Sequence, residues 1–331
     1  MIEAGKSGKV AYDFATFPRE FVSYKWYKPL LVALLAVVFM VAFTLVLVLV
    51  VAIATGSFSY LDGIGSGYDD MDAYTASGAA IELGSLAILI PALALAALIV
   101  RDRPFSSYVT SRGGWKWCAF LKCALVAAAV MAVQYIVEVA VFQSMPEGDG
   151  VVRFTAEGLV LCIVLVPLQC LAEELVFRGF ILQALSSWTR LPVVGIVVAA
   201  IAFAAGHSYN DIGVVLIFVN GLVWGFVAWR TSGLEASSAI HIVNNYIAFL
   251  TAGFGIEAQT SQVPVEALVI ESVVTVAYAA AVLLLGRRFG WFSPTGDGAA
   301  AFNENKRAKQ ARKQAGKQAG RLQPPEPPAI A

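Results

Sequence analysis

The chain has 331 residues, 59% of them hydrophobic and 14% charged, with a formal net charge of +0 at pH 7. A soluble domain is about 45–50% apolar and about 25% charged, so this composition, with a mean hydropathy of +0.73, excludes one and predicts a multi-pass, all-helical membrane protein. The neutral balance gives no ground for a nucleic-acid partner, and the four cysteines form no Cys-x-x-Cys pair and read as small apolar fillers.

The first 28 residues carry Lys6, Lys9, Arg19, Lys25 and Lys28, then Trp26 and Tyr27. Basic residues beside aromatics mark a cytoplasmic interface, and the apolar run that follows is too long for the core of a signal peptide. Spans are expected over about 29–55, 79–100, 118–142 and 155–188. Pro167 is a candidate kink in the fourth. Further spans are expected over about 191–206, 212–230, 234–254 and 265–285, making about eight. The loop 56–77 is acidic and lacks Lys and Arg, so it reads as external, whereas Arg101, Arg103, Arg112 and Lys116 place the next connector inside. The positive-inside rule then puts both termini in the cytoplasm and the protein in the cytoplasmic membrane. Gly221-x-x-x-Gly225 permits close helix contact. The tail beyond 291 is basic, rich in Ala, Gln and Pro, and predicted to be disordered.

Three short patterns interrupt the apolar runs. Glu173-Glu174-x-x-x-Arg178 lies in the fourth span, Phe203-x-x-x-His207 ends the fifth, and His241-x-x-x-Asn245 lies in the seventh. A charge at the centre of a membrane helix costs roughly 2.5–3.5 kcal/mol on insertion scales, so these groups need a reason to be there. Residues i and i+4 share a helix face: Glu174 and Arg178 are placed to form an ion pair, leaving Glu173, about 100° round the helix, to face a cavity. His241 and Asn245 likewise face one way. Depth is the difficulty, because a straight fourth helix sets Glu173 about 25 Å from its Arg190 end while His241 is only about 10 Å into its own helix.

Taken together, and in this order, the three patterns resemble the motifs of the CAAX prenyl protease and bacteriocin-processing family of glutamate intramembrane proteases, over roughly residues 159–250. The resemblance implies an intramembrane endopeptidase in which Glu173 and His207 hold and activate water and His241 and Asn245 stabilise the oxyanion, with Glu174 and Arg178 in support. It implies a peptide or protein substrate, lipidated or membrane-embedded, with the bilayer as surroundings and neither cofactor nor metal. The expected organisation is a cytoplasmic segment (1–28), three helices (29–150), a catalytic core of five helices (151–290) and a tail (291–331). Two other classes use the same residues: a transporter or proton relay, to which Glu138 and Asn220 would be natural additions, and an inactive immunity or scaffold protein. No His-Glu-x-x-His or Gly-x-Ser-x-Gly stands in a span, although Glu173, His207 and His241 are all chemically able to ligate zinc.

Overall fold

The computed structural model describes residues 13–58, 72–140, 148–257 and 261–292. The basic tail, the first twelve residues and most of the acidic 56–77 loop therefore lie outside the described residues. The rest is helical: a short 3-10 turn (Phe17–Glu20), α1 (Lys28–Thr55), α2 (Ala76–Ala87), α3 (Leu89–Val100), α4 (Ser106–Val109) and α5 (Trp117–Ala140). There follow α6 (Ala156–Glu174), a π-helical stretch (Leu175–Leu182), α7 (Gln183–Thr189), α8 (Pro192–Ala205), α9 (Asp211–Thr231), α10 (Glu235–Gly253) and α11 (Val265–Arg288).

A helix answers each expected span. Among the described residues six stretches are long and apolar enough to cross a bilayer: 28–55, 76–100, 117–140, 156–189, 211–231 and 265–288. The fourteen residues of α8 rise only about 21 Å, short of a core of about 30 Å, and the polar α10 is not among the six, so the expected count of eight spans is not confirmed. Large side chains on α1 such as Leu34, Val38, Val41 and Val46 are exposed. In water they would form a sizeable apolar patch; in lipid they are the outer wall. Small residues hold the interior instead, as packing without a hydrophobic driving force requires. A Cβ at Gly221 would stand 3.0 Å from Ala200, where α9 crosses α8.

Helix starts are fixed locally. The side chains of Thr75, Thr155 and Asn210 accept from the backbone N–H of Gly78, Gly158 and Gly213 and cap α2, α6 and α9. The backbone N–H of Thr155 donates to the Tyr74 carbonyl at 3.1 Å, so α2 and α6 start side by side and pack along one another. Pro167 sits within regular α-helix; the geometry changes further on, in the π-helical turns directly after Glu174. Such wide turns recur at functional sites.

At the opposite end, the 101–116 connector folds inward as a plug. Arg103 lies 3.3 Å from Asp102 and 3.7 Å over the Tyr108 ring, and also donates to Gln183. Gln183 in turn donates to the Tyr108 carbonyl at 3.3 Å. Arg112 pairs with Glu235 at 2.5 Å, and the Leu234 N–H donates to the Val109 carbonyl at 2.9 Å. Arg103 and Arg112 are thus buried ion-pair partners rather than the free basic flank that their charge alone implied. The plug also removes the depth difficulty. Because the α9–α10 turn is bound to residues 109–112, and these lie beside the π-helical turns, α10 begins at the level of residues 178–183 rather than at the Arg190 end.

Candidate active site

The π-helical turns and α6 carry Glu173, Glu174 and Arg178 into contact with α8, α9 and α10. Glu174 and Arg178, 0% and 1% exposed, meet at 3.0 Å as their i, i+4 spacing implied. The guanidinium also lies 4.3 Å over the ring of Phe203 and 5.5 Å from that of Trp224. Its Nη1 and Nη2 make no geometrically sound hydrogen bond, so the close contact with Glu174 is chiefly Coulombic and the aromatic faces supply the remaining attraction.

His241 connects the two acids. Its Nδ1 is 3.0 Å from Glu174 Oε1 and its Nε2 3.3 Å from Glu173 Oε2. A neutral imidazole has one N–H, so it can donate to one carboxylate at a time, and only the cation serves both. Trp224 covers the ring at 4.7 Å between centroids. Glu173 receives a second donor, Gln169 Nε2, at 2.7 Å, and Gln169 Oε1 accepts from Asn245 Nδ2 at 3.2 Å. A chain Asn245–Gln169–Glu173–His241–Glu174–Arg178 therefore runs through the centre of the bundle. His207 stands apart from it. Its Nδ1 donates to the Phe203 carbonyl at 2.8 Å, which leaves Nε2 of the neutral ring as the acceptor.

One cavity of about 420 Å³ gathers these groups: Glu173, His207, His241 and Asn245 all line it, joined by Gln169, Asn244 and Glu82. All four predicted catalytic residues thus share one hollow, while Glu174 and Arg178 lie behind it. The arrangement departs from the expectation in one respect: both ring nitrogens of His241 already face carboxylates, Glu174 at 3.0 Å and Glu173 at 3.3 Å, so neither points into open space. Tyr209, whose ring stacks on His207 at 6.2 Å, has its phenol pKa pushed up by burial and by the nearby Glu271 and Glu173. Gln169 was missed in the sequence although its i−4 spacing from Glu173 was a legible signal. Among the described residues no group of three His, Cys, Asp or Glu gathers as a metal site.

Fold and site together define a class: a helical membrane protein with a carboxylate–imidazole pair on a polar-lined internal cavity. Within it, residues 155–247 match the family model described as type II CAAX prenyl endopeptidase, Rce1-like. The matched segment runs from the cap of α6 to just beyond Asn245, and contains all six residues singled out from the motifs. Among curated proteins, the uncharacterized protein YyaK of Bacillus subtilis (strain 168) is 28% identical over 171 residues, covering 47% of this chain. The alignment spans 55% of that protein, so the chain covers about half the length of the curated relative. No solved structure matches.

Proposed function

We propose that the protein is an intramembrane endopeptidase in which Glu173 is the general base. The observation that carries this is the Glu173 carboxylate on the wall of a cavity shared with His207 and Asn245, steadied by Gln169 on one side and His241 on the other. Hydrolysis needs water, a group to take its proton and donors for the oxyanion. Glu173 takes the proton as the water oxygen adds to the peptide carbonyl carbon. Its proton then passes to the amine as the C–N bond breaks, which restores the carboxylate without a covalent intermediate.

His207 presents the lone pair of Nε2 to the same water, and Asn245 has a second amide hydrogen beyond the one given to Gln169, free to meet the oxyanion. His241 combines two tasks: it orients Glu173 and, once Glu173 is protonated, has its Nε2 hydrogen available to the oxyanion. Glu174 and Arg178 hold His241 in that pose. The substrate is a peptide presented from within or beside the bilayer, and the termini and basic flanks lie on the cytoplasmic side of the cell membrane.

The test compares purified wild type and Glu173→Gln on membrane and secreted peptides, with terminal-peptide proteomics of the parent and mutant strains. Loss of cleavage at normal expression is expected, with activity resistant to chelators and to serine and cysteine reagents. Equal cleavage by the two proteins would exclude Glu173 as the base, and chelator inactivation would point to a metallopeptidase.

A further inference from the structure

A second cavity, of about 770 Å³, adjoins the catalytic one between α5, α9, α10 and α11. The two share Asn220, Trp224, Asn244, Ala248 and Glu271 in their walls. Glu138, Glu257 and Glu271 line the larger one, and among the described residues no Lys or Arg lines either. Glu138 accepts from Gln134 at 3.1 Å and Glu257 from Thr251 at 3.1 Å, both neutral donors, and Glu271 has no hydrogen bond or ion pair among the described residues. The chamber is acidic and uncompensated by its own wall.

Asn220 is the second, independent sign of a ligand. It is 6% exposed, midway along α9, faces both cavities, and its amide finds no hydrogen-bond partner among the described residues. The chamber's own wall offers the Asn220 amide no hydrogen-bond partner among the described residues, and it offers the three half-buried carboxylates no counter-charge. Both deficits are met by one kind of occupant: an ammonium or guanidinium on an apolar stem. Met131, Tyr135, Ile240 and Tyr246 supply a wall for such a stem.

We infer that this side chamber is a specificity pocket for a basic residue, Lys or Arg, of the peptide substrate, with Glu271, Glu138 and Asn220 as its recognising groups. The inference rests on the protease reading for its biological meaning, since a peptide lying across Glu173 reaches the chamber through the shared wall at Asn220 and Asn244. It rests on the cavity's own chemistry for the charge of what it binds.

The experiment uses the full chain in lipid nanodiscs and a positional-scanning set of quenched fluorogenic peptides bearing Lys, norleucine or Glu. At one position or more, Lys is expected to exceed norleucine by about tenfold or more in kcat/KM, the scale of a charge-assisted contact. That ratio falls toward one in E138Q and E271Q, and E271K moves the preference to Glu, with folding of each variant checked by thermal unfolding. A wild-type ratio near one at every position, or a ratio untouched in both Gln variants, overturns the assignment. A second arm measures binding of the Lys and norleucine peptides to E173Q by fluorescence polarisation. If wild type cleaves nothing yet E173Q still selects Lys, the protease reading fails and the cation pocket stands; if E173Q binds both equally, the pocket fails on its own account. Lys selectivity present in phosphatidylcholine and lost in phosphatidylethanolamine discs assigns the chamber to a lipid headgroup and overturns the peptide. Proton uptake into proteoliposomes that depends on Glu138 and Glu271, with the Lys ratio unchanged, makes it a proton path and does the same.

Discussion

Removing Arg178 tests whether the ion pair behind the cavity is what allows Glu174 to be there. In Arg178→Met, a carboxylate that is 0% exposed loses the cation 3.0 Å away. Breaking a buried pair from one side costs about 3–5 kcal/mol, and the lost stacking over Phe203 at 4.3 Å adds about 0.5–2 kcal/mol. His241 Nδ1 stands 3.0 Å from Glu174 with or without the arginine, so it offsets none of this, and the net loss is about 5 kcal/mol. Glu174→Gln strands the guanidinium instead and is expected to cost a similar amount. Because each single variant leaves an uncompensated charge and the double variant leaves none, Glu174→Gln/Arg178→Met should lose about 3 kcal/mol less than the sum of the two. The assay is denaturant unfolding in mixed micelles followed by tryptophan fluorescence, for which Trp224, 5.5 Å from the guanidinium, is a local reporter. Additivity of the two single losses to within about 0.5 kcal/mol would refute the pairing argument.

Gln169→Leu removes the 2.7 Å donor to Glu173 and the acceptor for Asn245; kcat should fall about tenfold to a hundredfold, the kinetic equivalent of one charge-assisted bond, with a stability loss of about 1–3 kcal/mol for the groups left unmatched. Gly179→Ala places a Cβ 2.7 Å from the Tyr108 carbonyl oxygen and should cost about 1–3 kcal/mol of stability, whereas Gly114→Ala, with nothing within 4 Å, should be silent in the same unfolding assay. The Tyr74 phenol is pushed up to about 12, first by burial and then by Glu82. Its folded pKa exceeds the unfolded one, so the stability it contributes is whole below pH ~10 and lost as pH rises toward ~12; tyrosinate absorbance should show the late titration, and Tyr74→Phe should flatten that part of the stability profile.

The helices were legible because apolar runs of bilayer length have few other uses, and the Glu174–Arg178 pair because i, i+4 spacing is local geometry. What brings His241 to Glu174, 67 residues away in sequence, is not local. It depends on where α10 begins, and that is set by the inward-folded 101–116 connector. There the sequence misled: Arg103 and Arg112 look the same on paper whether they flank a membrane or are buried against Asp102 and Glu235. The π-helical turns after Glu174 have no composition that announces them. Glu138 and Asn220 were recognisable as polar residues in spans, but Glu271 became significant only when α11 placed it beside them.

The plug formed by residues 101–116 and the α9–α10 turn has a consequence for traffic. With Tyr108, Gln183 and Glu235 all at 0% exposure, that end of the bundle is a blind wall. The hollow around Glu173 is bordered instead by residues near the other helix ends, such as Glu82, Tyr209 and Val263. With the plugged end closed, access to Glu173 is left to those helix ends and to the adjoining chamber between α5, α9, α10 and α11. On the protease reading, substrate and cleaved fragments share these routes, so a molecule lodged in them hinders entry and exit alike.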